Sequence, residues 1–269
     1  MKVLIMGGVA GGASAAARLR RLDETAEIII LERGDYVSFA NCGLPYFIGG
    51  EITDKQALTL QTPESFRARF DIDVRVRNEV TAIHAEKKTV AIRNLETDTE
   101  YEESYDKLIL SPGASPILPP IPGANLPHVF TLRNIPDTFA IKAYIEEKHP
   151  KTAAVIGGGY IGVEMAENLK RAGLEVSIVE LADHLIAPLD FDMAADVHRY
   201  VKEAGVALYL NNGVVSIGEH EVQLQNGSVP AELVLMSVGV RPESAIAKAC
   251  GIALNGRGSI LVNSRMETN

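Results

Sequence analysis

One pattern is written twice in this chain, and it constrains the fold more than any other feature. The first copy starts with an apolar strand at residues 3–6, followed by the turn GGVAGG and the helix-like stretch ASAAARLRRL. It closes with a second strand, Glu27–Leu31, and the acid Glu32. The second copy runs from residues 153–156 through GGGYIG and VEMAENLKRAG to a strand at 176–179 and the acid Glu180. A strand, a glycine turn, a helix, a strand and an acid make half of a doubly wound dinucleotide-binding sheet, lacking only a parallel neighbour. The predicted fold class is therefore α/β, with two doubly wound Rossmann-like domains, the second inserted in the first.

The glycine spacing carries the chemistry. In such a turn the first glycine permits the bend, the second lets backbone approach a pyrophosphate, and the third lets helix pack on strand. The uncovered N–H groups and positive end of the helix then face the phosphates. Gly157, Gly159 and Gly162 fill all three positions, whereas Gly7 and Gly12 flank Val9, which leaves less room, although Gly8 and Gly11 add freedom. Glu32 and Glu180 can each accept a hydrogen bond from a ribose 2′-hydroxyl and would repel a 2′-phosphate. Glu180 thus favours NADH over NADPH. The competing reading is that the turns serve packing alone and that Glu180 merely ends a surface strand.

Other elements fill in the domains. Thr62 and Pro63 open a helix ending near Phe70. Short strands are predicted at 74–76, 80–84, 89–93 and Lys107–Leu110, and residues 112–122 hold five prolines, as expected of a crossover linker. Residues 190–204 read as a helix, Val214–Ile217 with 222–224 as a hairpin, Leu233–Met236 as a counterpart of 108–110, and 260–262 as a strand. The expected boundaries are 1–115 and 243–269 for the first domain and 116–242 for the second.

The 269 residues carry a formal net charge of −9, which disfavours a nucleic-acid partner, since phosphate binding needs a basic face. No secretory signal and no bilayer-length apolar run is present, so a cytoplasmic protein without a membrane partner is expected. The two cysteines, Cys42 and Cys250, have no zinc spacing around them. Cys250 reads as a small buried hydrophobe. Cys42 lies in RGDYVSFANCGLPYFIGG. Pro45 suits a first helical turn, and a helix starting at Cys42 would favour its thiolate through the dipole. Ser38 and Asn41 can donate hydrogen bonds there. Reactive and buried readings of Cys42 both stay open on these residues. No second cysteine lies nearby, so redox chemistry would need a mixed disulfide, a persulfide or a sulfenic acid.

The segments GGVAGGASAAARLRRL, YVSFANCGLPYFIGG, YDKLILSPGASP, VFTLRNIPDT, VIGGGYIGVEMAENL and LMSVGVRPE together resemble the single-cysteine branch of the flavin-dependent pyridine nucleotide-disulfide oxidoreductases. Within it they match the coenzyme A-disulfide reductases and NADH-dependent persulfide reductases, with NADH oxidases and peroxidases as near relatives. The resemblance implies FAD on Gly7, Ala10, Gly11, Gly12 and Glu32, with Arg33 and Val80 flanking the adenine. Ser111, Pro112 and Gly113 would line the flavin side and Arg133 would approach it. NADH would use Gly157, Gly159, Tyr160, Ile161, Gly162 and Glu180, with Val238 and Gly239 closing the pocket. Tyr160 would cover the flavin until nicotinamide displaces it, and Glu164 would pack nearby. Val9 matches the family's own variation at the middle glycine.

The implied reaction passes hydride from NADH through FAD to Cys42, which acts with Asn41 and Ser38 on a disulfide or persulfide of coenzyme A or a similar small thiol. Arg18, Arg21, Arg67 and Arg69 are candidates for its phosphates, set against the plainer reading of solvated helix-face charges. Family members continue with a second flavin motif and a dimerisation domain, and this sequence stops at SRMETN where that motif would begin. The chain is accordingly expected to be either a piece of a longer, homodimeric parent or a naturally shortened protein. Two rival functions stand: an NADH oxidase or peroxidase cycling Cys42 through sulfenic acid, and a dinucleotide-binding fragment without catalysis.

Overall fold

A computed structural model describes residues 1–269. The chain divides into two compact units, one formed by residues 1–40, 59–115 and 241–269, the other by 41–58 and 116–240. No helix is long and apolar enough to cross a membrane.

The first unit is built on a parallel sheet of four strands, in the order Asp73–Arg75, Glu27–Leu31, Lys2–Met6, Lys107–Leu110. Its central strands are nearly continuous apolar runs because both faces are covered. The period of two then sorts their side chains. Val3, Ile5, Ile28 and Ile30 meet Ala13 and Ala16 of the helix Ala10–Leu22, together with Phe66. Leu4, Ile29 and Leu31 meet Ile83, Val90 and Ile92. These last belong to a three-stranded antiparallel sheet formed by Asn78–His84, Thr89–Asn94 and Thr99–Ser104. Each of these valine, leucine, isoleucine and phenylalanine side chains, at most 9% exposed, contributes about 1.5–3 kcal/mol.

The second unit repeats the plan. Its parallel sheet runs Ala207–Tyr209, Glu175–Val179, Thr152–Ile156, Leu233–Met236, Val129–Phe130. The helix Tyr160–Arg171 packs on one side, where Val155 lies under Gly162. The antiparallel strands Val214–Ile217, Glu221–Leu224 and Ser228–Pro230 pack on the other, placing Ile217, Val222, Leu224 and Val229 against Ala154, Ile156 and Met236.

Three local expectations need correction. Residues 260–262 form no strand, only a single bridge between Ile260 and Leu254. The strand expected at 74–76 is Asp73–Arg75, set by its pairing with Ile29–Leu31. The helix expected to begin at Cys42 is Leu44–Ile48, capped by Gly43, with Cys42 in the preceding 3-10 turn Asn41–Gly43. Pro45 falls within the first turn of that helix, where its missing N–H costs nothing. The helix therefore starts two residues after the cysteine.

Candidate dinucleotide sites and cysteine segment

In the second unit the strand Thr152–Ile156 runs into Gly157, whose φ of +105° lies in the left-handed region. A side-chain carbon there would overlap the Ser237 carbonyl, and one at Gly162 would overlap the Gly157 carbonyl. Both are therefore fixed as glycine by the protein itself. Gly159 is different: a carbon added there meets nothing within 4 Å. That position is open on the protein side, as the approach of a ligand to backbone requires. Gly157, Gly158 and Gly162 are buried, whereas Gly159, Tyr160, Ile161, Val238 and Gly239 are exposed. The turn thus presents an outward rim around the start of the helix.

The helix Tyr160–Arg171 has no side-chain cap and no acid in its first turn. Two other helices show what a purely structural start looks like. Thr62 with Ser65, and Asn134 with Asp137, close complete capping boxes. Arg133 donates its backbone N–H into the second of these, to Asp137 Oδ2 at 2.8 Å. The free N–H groups at Tyr160 and Ile161 and the positive helix end fit a pyrophosphate. Glu164 lies one turn further on, with its carbonyl accepting from Asn168 Nδ2 at 2.8 Å.

Glu180 is tied back to this turn. Gly158 N–H donates to its Oε2 at 2.6 Å and Ala182 N–H to its Oε1 at 2.8 Å. The carboxylate is fixed in place, and its remaining lone pairs can accept ribose hydroxyls. Residues 181–190 then fold over the turn. Ile186 donates its N–H to the Gly158 carbonyl at 2.8 Å, and it does so with φ +53°, a conformation costly for a β-branched residue, by about 1–3 kcal/mol. In the same segment His184 Nδ1 lies 2.5 Å from Asp183 Oδ1, which raises the imidazole above its ordinary pKa.

The first unit carries the same construction. Gly7 has φ +92°, and a side chain there would overlap the Ser111 carbonyl. Gly8 N–H donates to Glu32 Oε2 at 2.8 Å and Gly34 N–H to Oε1 at 2.7 Å. The helix Ala10–Leu22 starts at Val9 with neither a side-chain cap nor an acid in its first turn, and Ala10 and Gly11 are exposed. Ser111 and Pro112 sit over the turn, the Ser111 hydroxyl 3.1 Å from where a Gly11 side chain would begin. Gly113 accepts from Glu243 N–H at 3.0 Å, and Glu243 in turn pairs with Arg33 at 3.4 Å. Val80 is half-buried against the Leu4–Ile92 core, so its side chain is partly spent on packing. Ser38 is held by its N–H on the Gly8 carbonyl at 2.9 Å, and so belongs to the first glycine turn.

Cys42 is exposed. Asn41 beside it has a buried Oδ1 with no hydrogen-bond partner, an acceptor that a bound molecule could satisfy. The segment 41–58 is anchored within the second unit. Lys142 Nζ donates to the Ile48 carbonyl at 3.1 Å, Phe47 meets Phe139 with ring centroids 5.6 Å apart, and Arg171 pairs with Glu51. Sequence reasoning did not foresee the helix Ile135–Lys148 that supplies Phe139 and Lys142, although Asn134-Ile-Pro-Asp137 is a legible helix start.

Of the arginines considered for phosphate, Arg67 lies 3.8 Å from Asp71 and Arg69 stacks on Phe70. Arg18 and Arg21 lie on an exposed helix face with Ser14. Arg20, between them, is spent on structure, donating to the carbonyls of Phe70, Asp71, Asp23 and Glu24.

The family model for pyridine nucleotide-disulphide oxidoreductases matches residues 1–269. A coenzyme A disulfide reductase of Staphylococcus haemolyticus is 38% identical over 274 residues, spanning 100% of this chain and 60% of its own length. The reduced CoADR-RHD of Bacillus anthracis superposes with TM-score 0.97 at 52% identity, over 99% of this chain and 49% of that one. An NAD-dependent persulfide reductase from A. fulgidus superposes with TM-score 0.95 at 34% identity, over 100% and 51% respectively. The chain thus spans about half to three-fifths of the length of these relatives. The chain belongs to the pyridine nucleotide-disulphide oxidoreductase family.

Proposed function

We propose that this chain carries the two dinucleotide sites and the single redox cysteine of an enzyme moving electrons from NADH through FAD to a small-molecule disulfide or persulfide. The carrying observation is the duplicated geometry: in each unit an uncapped helix follows a glycine turn whose second residue is hydrogen-bonded to the acid ending the next strand. FAD would be held by Gly7, Ala10, Gly11, Gly12 and Glu32, with Ser111, Pro112 and Gly113 over the turn and Arg33 and Val80 alongside. NADH would be held by Gly157, Gly159, Tyr160, Ile161, Gly162 and Glu180, with Val238 and Gly239 at the rim. Bound FAD would supply what no side chain here can, acceptance of a hydride and delivery of an electron pair to sulfur.

The residues themselves set the rest. Glu180 rejects a 2′-phosphate and so selects NADH. Cys42, exposed and without a neighbouring thiol, can attack one sulfur of a disulfide, forming a mixed disulfide and releasing the other half as a thiol. Asn41 Oδ1, which has no partner within the protein, is a candidate acceptor for the bound molecule; separately, Arg18 and Arg21 of the first unit are candidates for the phosphates of an anionic one such as coenzyme A. The relatives named for coenzyme A disulfide and for persulfide support that substrate class. The whole enzyme is proposed to act as a cytoplasmic homodimer.

The test is Cys42→Ser in the chain supplied with FAD. NADH should still bleach the flavin, while NADH consumption driven by coenzyme A disulfide should fall by about a hundredfold or more. Undiminished consumption removes Cys42 from the reaction. Consumption driven by peroxide and not by the disulfide assigns the peroxidase chemistry instead.

A further inference from the structure

We propose that His198 is a positioning residue for the dinucleotide: its neutral ring latches residues 181–190 onto the second glycine turn. The inference rests on the reading of that turn as the NADH site. His198 stands on the helix Phe191–Glu203, and its Nε2 accepts the backbone N–H of Leu185 at 3.0 Å. Leu185 is completely buried, and its side chain occupies the space directly beside Gly158, where any added side chain would overlap it. The next residue, Ile186, donates its N–H to the Gly158 carbonyl at 2.8 Å. Gly158 N–H is in turn bonded to Glu180. A continuous line of contacts therefore runs from His198 through Leu185 and Gly158 to the acid that would hold the ribose.

An imidazole that accepts at Nε2 must carry its proton on Nδ1 and be neutral. Protonation converts Nε2 into a donor facing another donor, and the latch opens. The left-handed Ile186 then has one restraint fewer against relaxing. The surroundings keep the ring neutral. Burial, Lys202 on the same helix and His184 in the latched segment all push His198 below the ordinary histidine range, opposed by Asp183. A depressed histidine is latched above its unfolded-state range and unlatched as pH falls through its folded value. NADH affinity should fall over the same interval.

The experiment is fluorescence titration of the full chain with NADH between about pH 5 and pH 8. It compares the wild type with His198→Gln, which keeps an acceptor but cannot protonate, and with His198→Leu, which has none. Wild-type affinity should drop about three- to tenfold from neutral to acid pH. His198→Gln should stay near the neutral value throughout, and His198→Leu should be weakened by a similar factor at every pH. Hydrogen exchange at the Leu185 and Ile186 amides, corrected for intrinsic rate, should be faster in His198→Leu and unchanged in His198→Gln. Equal NADH affinity and equal exchange in wild type and His198→Leu overturn the latch and leave the NADH site standing. No NADH binding by folded wild type at any pH overturns both.

Discussion

Glu180 accepts the backbone N–H of Gly158 at 2.6 Å, so the acid proposed to select the ribose also fixes the backbone of the turn proposed to receive the phosphates. Glu32 stands in the same relation to Gly8 at 2.8 Å. On the proposed reading, one carboxylate would serve both fold and ligand. Glu180→Gln retains a single acceptor oxygen and removes the negative charge. NADH affinity should fall about tenfold and NADPH affinity should fall less, narrowing the preference. Dissociation constants for both nucleotides check this, and a preference for NADH that survives intact contradicts it.

Gly157 and Gly159 should separate folding from binding. Gly157→Ala places a side chain at φ +105° and against the Ser237 carbonyl, so it should cost about 2–4 kcal/mol of stability. Gly159→Ala meets no protein atom within 4 Å. Its melting temperature should stay within about 2 °C of wild type while NADH binding weakens at least about tenfold. Thermal melts with and without NADH distinguish the two.

Gly49 sits at the end of the helix Leu44–Ile48 that follows the cysteine turn, where an added side chain would overlap Asn168 Oδ1, buried in the helix Tyr160–Arg171. Gly49→Ala should therefore destabilise the seating of residues 41–58 by about 1–3 kcal/mol. It should also speed alkylation of Cys42, and Gly49→Ala combined with Asn168→Ala should recover part of the loss. Alkylation rates and denaturant midpoints are the measurements, and a single variant as stable as wild type would speak against the contact.

Glu103 joins Lys2 to Arg75 in the first unit, the Arg75 Nη1 contact being 2.7 Å. Burial raises the Glu103 carboxyl, but the hydrogen bonds from Lys2 and Arg75 outweigh it, and its pKa is lowered overall. A depressed carboxylate stabilises the fold above its unfolded pKa, and that stability is lost as pH falls through the folded value. Glu103→Gln should cost about 1–2 kcal/mol at pH 7 and converge on wild type only in stronger acid, below the lowered carboxyl pKa and so below the ordinary glutamate value of about 4.3. Parallel urea curves at the two pH values decide it.

Much of this was legible because two glycine turns obey sharp local rules. Gly157 and Gly162 are required by backbone overlap that spacing alone encodes, and the strands behind them are continuous apolar runs. The antiparallel strand Thr99–Ser104, with TEYEES, was not legible, because its exposed face is acidic and its pairing partner Thr89–Asn94 decides its state. The same holds for the cysteine segment. Nothing in ANCGLPYFIGG shows that Phe47 will meet Phe139 or that Gly49 will lie against Asn168, since those contacts come from helices more than ninety residues away. The Leu185–His198 bond was equally invisible, being a backbone N–H meeting a ring nitrogen across a loop.

The most direct test of the central claim is the visible absorption spectrum of the purified chain supplied with FAD, before and after anaerobic NADH. A retained flavin band that bleaches on adding NADH is the predicted result, since it requires both glycine turns to bind as proposed. A chain that retains no flavin, or retains flavin that NADH leaves oxidised, contradicts the account.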